Sequence, residues 1–432
     1  MKTAAIIAEY NPFHKGHIYH IEQTRKLTKA DCVVALMSGN FVQRGEPAFA
    51  DKYTRARMAL ECADLVLELP AVYAVSSAEG FASGAVSVLD SMSGIDFLSF
   101  GTECSYPECE TLYKAADILA AEPDGYTALL KEKLAAGMSF PAARAAALTE
   151  YTGDDGISAL LSSPNNILAA EYMKALIRRS SAIKPFPIKR LGDYHYSGKE
   201  SENGFAGAAA VRSLYRLEGL DGIRDSVDGA ALAILTEAAG HTLPVYSGDV
   251  SALLCYAAAV NSEKLASLYD VGEAIAGKLC SALSDCAVHD FEALASKLKS
   301  RELTHTRICR ALIHILLDIR QSDADMLAAS GYPSYARILG FNSIGREFLS
   351  SVKKDAALPI ISNCADAYGS LSPEQKYLFD KDLLASRIYG NILYSKYKTA
   401  PVDDFRSRPI IVKHPAASSG TSNLIRPQKR GI

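Results

Sequence analysis

The alternation of short apolar runs with helix-patterned stretches constrains this chain more than any other feature. Residues 3 to 8, 32 to 37, 65 to 68 and 96 to 100 are apolar runs of strand length. Between them, residues 17 to 27, 53 to 63 and 77 to 92 carry helical spacing. Strands apolar throughout are buried on both faces, which a parallel sheet wrapped by helices provides. The expected fold is α/β: a Rossmann-like, doubly wound parallel sheet followed by a mainly α-helical half. Ligands of such sheets sit at the C-terminal ends of the strands.

The pattern stays helical over 108 to 179. A strand is predicted at 187 to 191, a loop at 192 to 206 and a helix over 208 to 218. Beyond about residue 225 the reading is almost wholly helical, with periodic stretches at 230–239, 250–259, 271–283, 291–299 and 304–317. These shifts divide the chain into a nucleotide-binding segment, 1–220, a helical segment, 221–405, and a basic tail, 406–432.

Hydrophobic residues at 49% and charged residues at 22% exclude a disordered chain. A net charge of -3 excludes a wholly basic nucleic-acid coat, but not a local basic face. No apolar run reaches the roughly 18 residues of a membrane span, so no membrane partner and a cytoplasmic location are expected. The nine cysteines contain no CxxC pair. They read as reduced, mostly buried thiols, and no protein-held metal is expected.

The chemistry concentrates at the end of the first strand, in Ala8-Glu9-Tyr10-Asn11-Pro12-Phe13-His14-Lys15-Gly16-His17. His14-x-Gly16-His17 follows a strand and opens a helix, whose free N–H groups and dipole attract anions. Gly16 lets the backbone approach a ligand closely. His14 and His17 can donate hydrogen bonds to phosphate oxygens and stabilise charge as pyrophosphate leaves. The alternative is a pair of incidental loop histidines.

This turn resembles the HIGH-superfamily nucleotidyltransferases. Longer stretches narrow the resemblance: Met37-Ser-Gly-Asn-Phe-Val-Gln-Arg-Gly-Glu-Pro-Ala48, Ala63-Asp-Leu-Val-Leu-Glu-Leu-Pro70, Ser99-Phe-Gly-Thr-Glu103, Ser163-Pro-Asn-Asn-Ile-Leu168 and Arg337-Ile-Leu-Gly-Phe-Asn342. They are similar to the bacterial tRNA(Met) cytidine acetate ligase family over nearly the whole chain. The resemblance implies that ATP activates acetate as acetyl-adenylate. The acetyl group would then pass to the exocyclic amine of the wobble cytidine of elongator tRNA(Met).

It also implies an ATP site formed by Ile7, Ala8, Glu9, Tyr10, Asn11, Pro12, Phe13, His14, Lys15, Gly16, His17, Ile18, Tyr19 and His20. Gly101, an asparagine of the Pro-Asn-Asn segment and an arginine near 190 complete that site. ATP brings Mg²⁺ as its usual ion.

Each added position also has a local reading. Gly101 follows a strand, where a nucleotide can lie against bare backbone, or it is a plain turn glycine. One of Asn165 and Asn166 caps a helix; the other, Asn165 by preference, meets the adenine edge or ribose. Lys189 and Arg190 end a strand and suit a phosphate clamp, or form an exposed basic pair. Arg44 lies in the loop after the second strand, on the same rim, where phosphate or the acetate carboxylate is its expected contact.

The chain departs from its superfamily in one place. The late Ser-Ser-Thr-x-Ile-Arg-type motif aligns with Gly207, Ala208 and Ala209, which carry no hydroxyl, while Arg212 is kept as a possible phosphate contact. This puts efficient ATP activation in question and keeps a degenerate RNA-binding scaffold as one alternative. A small-molecule nucleotidyltransferase acting on a cofactor precursor is the other.

Arg307, Arg310 and His314 fall at i, i+3 and i+7 and share a helix face. They are the expected tRNA contacts, a basic stripe for phosphates, with a solvated surface face as the plain alternative. Arg337 is a further candidate of the same kind.

Overall fold

The computed structural model describes residues 1–104, 108–191, 205–284, 290–300 and 303–413. Ten strands occur in it: β1 (Thr3–Ala8), β2 (Cys32–Ser38), β3 (Phe41–Val42), β4 (Glu46–Pro47), β5 (Leu65–Leu69), β6 (Phe97–Thr102), β7 (Lys184–Lys189), β8 (Ala336–Phe341), β9 (Ile360–Ile361) and β10 (Ile410–Ile411). The main sheet runs β10-β8-β5-β2-β1-β6-β7, with β9 alongside β8; β3 and β4 form a separate hairpin.

The five strands from β5 to β7 are parallel, in the doubly wound order that reverses at β1. All seven residues of β2 are buried, as expected for a strand covered on both faces. Its side chains alternate between two cores. Cys32, Val34 and Leu36 join the helices Ala78–Met92 and Pro164–Arg178 on one face. Val33, Ala35 and Met37 join the helices Lys15–Thr28 and Lys52–Ala59 on the other.

The expectation that the chain beyond about 225 is almost wholly helical needs correction. β8 pairs antiparallel with β5 and extends the main sheet, and β10 continues it beside β8. The sheet therefore crosses the expected boundary at 220. β8 is a six-residue apolar run, and at that length periodicity does not separate a strand from a buried helical turn. The strand expected at 187–191 lies at Lys184–Lys189. Pro185 and Pro187 are accommodated because β7 is the sheet's edge, where missing N–H donors cost little. The loop expected at 192–206 falls mostly outside the described residues.

A closed set of four buried charges joins the two ends of the chain. Lys52 Nζ lies 3.0 Å from Glu68 and 3.2 Å from Asp404. Arg337 lies 3.1 Å from Glu68 and 2.7 Å from Asp404. All four are at most 4% exposed, so each cation is neutralised by the same two carboxylates. Arg337 is thus a core residue and not a surface RNA contact. No helix among the described residues is long and apolar enough to cross a membrane.

Candidate active site

The turn after β1 is built by hydrogen bonds that leave the imidazoles little freedom. His14 is the N-cap of the helix Lys15–Thr28, in extended conformation. Its ring Nδ1 accepts from the Gly16 N–H at 3.0 Å. The His14 N–H in turn donates to His17 Nδ1 at 3.2 Å. The rings stack with centroids 3.8 Å apart, and Phe13 also stacks on His17 at 5.6 Å.

With both Nδ1 atoms engaged as acceptors, the neutral rings carry their proton on Nε2. Burial, reinforced by the nearby Arg190 cation, pushes His14 down to about 3 and His20 down to about 4. Burial also holds His17 well below its ordinary value, with His14 and Arg190 adding to it. The pair therefore presents neutral donors and not imidazolium ions at ordinary pH. His20 Nε2 lies 3.1 Å from the Ser99 hydroxyl.

A second set of bonds fixes the loops behind the rings. Arg55, fully buried, donates to the carbonyls of Glu9 at 2.6 Å, Ser38 at 3.0 Å and Ala50 at 2.9 Å, and also to that of Gly39. It ties the ends of β1 and β2 together. Asn11 Oδ1 accepts from Phe49 N–H at 2.6 Å, and its carbonyl accepts from Arg212 at 2.7 Å. Arg212 also bonds Glu46 at 2.8 Å. Glu9 accepts from Gln43 N–H at 2.8 Å; burial raises its carboxyl against that bond and the pull of Arg44 and Arg212.

These groups border a cavity of about 500 Å³ at the C-terminal ends of β1, β6 and β7. Ile7, Ala8, Glu9, Tyr10, Asn11, His14, Gly16, His17, Tyr19 and His20 line it. So do Arg44, Gly101, Asn165, Lys189 and Arg190. The structure brings these expected residues to one place. Pro12, Phe13, Lys15 and Ile18 lie outside the lining. Phe13 is core, and Lys15 turns away to the Asp225 carbonyl at 2.7 Å.

Neither asparagine caps its helix; the cap position is Ser163, and Pro164 opens the first turn. Asn166 is buried and bonds the Glu103 N–H at 2.9 Å and the Leu160 carbonyl at 3.0 Å. Asn165 donates to the Glu103 carboxylate at 2.5 Å, which also lies 3.6 Å from Arg190. At Gly101 a Cβ would sit 3.1 Å from the Arg190 side chain, which would have to shift by a few tenths of an ångström. Gly207 and Ala208, at the start of the helix Ala208–Glu218, line the cavity, and no side chain caps this helix end. Arg212 braces the turn and does not line the cavity.

The helix His305–Leu316 does not present its three basic residues as one open stripe. His314 is fully buried, with its ring nitrogens 2.8 Å and 2.9 Å from the carbonyls of Tyr269 and Val75. Its place as an RNA contact is withdrawn, because the helix dives into the core after its first turn. Arg310 is 11% exposed and lies 3.6 Å from Asp270. Arg307 stays 47% exposed, 3.7 Å from the same carboxylate. The helix nevertheless borders the site, since Thr306 lines the cavity. Gly45 packs directly on the backbone of Cys309 and Arg310, where a Cβ would come within 2.3 Å.

Sequence reasoning missed Arg55, Gln43, Phe81, Phe100, Leu168 and Tyr172; the last five also line the cavity. Gln43, Phe100 and Leu168 lie within the stretches that carry the family resemblance, and Arg55, Phe81 and Tyr172 lie in none of them. Among the described residues no group of three or more His, Cys, Asp or Glu could hold a metal ion. Glu9, the carboxylate that lines the cavity, already accepts from Gln43 N–H, and Glu103 behind it is engaged by Asn165 and Arg190.

A Rossmann-like sheet bearing a stacked His-x-Gly-His turn at its first strand end defines a nucleotidyl transferase of the HIGH type. The family described as HIGH Nucleotidyl Transferase matches residues 1–404. A tRNA(Met) cytidine acetate ligase of Caldanaerobacter subterraneus subsp. tengcongensis is 42% identical over 413 residues, 95% of this chain and all of that one. Its namesake from Acetivibrio thermocellus is 38% identical, over 90% of this chain and 94% of the other. The chain belongs to the tRNA(Met) cytidine acetate ligase family. Two crystal structures of Thermotoga maritima TmcAL superpose on it. The apo form has a TM-score of 0.89 at 32% identity, and the form bound with alpha-thio ATP 0.87 at 33%. Each covers 96% of this chain and all of the other.

Proposed function

We propose that this chain activates acetate with ATP and acetylates the exocyclic amine of the wobble cytidine of elongator tRNA(Met). The observation that carries the reading is the stacked His14–His17 pair, locked with Nδ1 accepting, on the wall of the cavity. An acetate oxygen attacks the α-phosphorus of ATP, the bond to the bridging oxygen breaks, and pyrophosphate leaves. Nε2–H donors of neutral imidazoles stabilise the charge that develops, without needing a proton from solution. The cytidine amine then attacks the acyl carbon of the mixed anhydride, AMP leaves, and the amine loses one proton. Positioning supplies much of that second step, since the anhydride is already activated.

In this reading the adenosine lies against Gly101, Asn165 and Arg190, and Lys189 and Arg190 face the phosphates. The bare N-terminus of the helix at Ala208 replaces the absent hydroxyls, because its N–H groups favour anions. Arg44 serves phosphate or the acetate carboxylate. Mg²⁺ would arrive on the ATP phosphates, as no carboxylate cage stands ready for it among the described residues. Arg307 is the exposed cation best placed for tRNA, because the same helix turn reaches the cavity at Thr306.

The test is incubation of the full chain with labelled acetate, ATP, Mg²⁺ and bacterial tRNA lacking the modification. Label in the wobble cytidine, dependent on ATP, is the expected result. Absence of acetate-dependent pyrophosphate release would refute the reading and favour a cofactor nucleotidyltransferase or a degenerate scaffold.

A further inference from the structure

The cavity has two chemically different sides. On the face of the sheet that carries the helix Lys15–Thr28, it is bounded by the imidazole pair and by the N-terminus at Ala208. On the opposite face it is bounded by Phe81, Phe100, Leu168 and Tyr172. Phe81 comes from the helix Ala78–Met92 and Phe100 from β6. Leu168 and Tyr172 lie one helical turn apart on Pro164–Arg178.

The chemistry of adenylation separates these sides. Displacement at phosphorus is in line, so the incoming carboxylate and the departing pyrophosphate stand on opposite sides of the α-phosphate. The phosphates belong with the helix N-termini and the neutral donors. The carboxylate then approaches from the aromatic side, and its alkyl group points into that wall.

The size of the seat follows from burial. Phe81 is 3% exposed, Phe100 4% and Tyr172 5%. Phe100 and Tyr172 pack on each other with centroids 5.7 Å apart. Rings this deeply buried offer too little surface to stack a base and enough to meet a methyl group. A hydrophobic seat discriminates a shorter homologue by only about ten- to two-hundred-fold per methylene, so selection against longer acids depends on a wall that does not yield.

We propose that Phe81, Phe100 and Tyr172 form the acyl-selecting wall of the enzyme, seating the methyl group of acetate and excluding longer carboxylic acids. The inference rests on the acetate-activating reading above.

The test is ATP–pyrophosphate exchange by the full chain with acetate, propionate and butyrate, with ATP affinity measured in parallel by calorimetry. Phe81→Leu, Phe100→Leu and Tyr172→Leu should each raise the propionate-to-acetate ratio of kcat/KM about tenfold or more. Tyr172→Phe keeps the ring and should hold the wild-type ratio. Leu168→Phe narrows the seat and should raise the KM for acetate while ATP affinity holds; this arm stands if a leucine variant fails to fold. Unchanged ratios in variants that bind ATP would overturn the wall. Weakened ATP affinity with an unchanged ratio would also overturn it, by giving the rings to the nucleotide. A wild type that binds ATP but exchanges with none of the acids would refute the ligase reading itself, and the wall with it.

Discussion

His17→Ala separates two roles that the structure gives one side chain. The ring offers Nε2–H to the cavity, and its Nδ1 accepts from the His14 N–H at 3.2 Å. Losing the donor removes one preorganised contact to developing charge, which costs about 10²- to 10³-fold in kcat for donors of this kind. Losing the acceptor strands a backbone N–H in a largely dry turn, at about 1–3 kcal/mol of stability. His17→Gln places a carboxamide N–H near the Nε2 position and should recover part of the rate. The assay is single-turnover formation of acetyl-adenylate, with urea unfolding alongside.

The pH dependence is the stricter check. His14 lies at about 3 and His20 at about 4, and burial holds His17 well below its ordinary value, so none gains a proton near 6.5 in the folded chain. Adenylate formation should show no inflection near the ordinary histidine value of about 6.5. Stability behaves differently. The unfolded chain takes up these protons below about 6.5 and the folded chain does not, so stability present above that pH is lost as pH falls toward 4. A rate that follows histidine protonation near 6.5, or a His17→Ala loss below tenfold, would refute the neutral-donor assignment.

Further outcomes follow from the same geometry. Gly16→Ala brings a methyl carbon to 2.9 Å from His14 Cε1, displacing the ring, and should cost about 10²-fold in adenylate formation with the melting temperature nearly kept. Asp404→Ala leaves Lys52 and Arg337 buried with one carboxylate between them; urea unfolding should show a loss of about 3–5 kcal/mol. His314→Ala removes a buried ring whose single N–H, in the neutral form, donates to the carbonyl of either Val75 or Tyr269, and should destabilise by about 1–3 kcal/mol, whereas Arg307→Ala should weaken tRNA binding at low salt and leave unfolding unchanged.

What could be read along the chain was what is local. β1 and β2 are apolar throughout and punctuated by polar turns, and the His14–His17 turn lies within four consecutive residues. β8 was lost because six apolar residues fit a strand or a buried helical turn equally well. β7 was misplaced because its prolines argue against any strand, and only its edge position explains them. The i, i+3, i+7 spacing correctly grouped Arg307, Arg310 and His314. It carried no information on which part of the helix enters the core. Arg55 and Tyr172 were invisible for a different reason. Each acquires its role from loops or strands distant in sequence, and neither sits in a distinctive local pattern.

The ring of charges formed by Lys52, Glu68, Arg337 and Asp404 has a consequence for synthesis. During translation Lys52 and Glu68 emerge long before Arg337, and Asp404 comes within the last thirty residues. Until Arg337 arrives, β5 has neither its antiparallel neighbour nor the second cation. Until Asp404 arrives, two cations share one carboxylate. The loop that carries Arg44 hangs from this region, because Gly39 packs against Glu68. The ATP-binding half is therefore not an excisable module. A ribosome must deliver the chain as far as Asp404 before the site around His14 and His17 acquires its final shape.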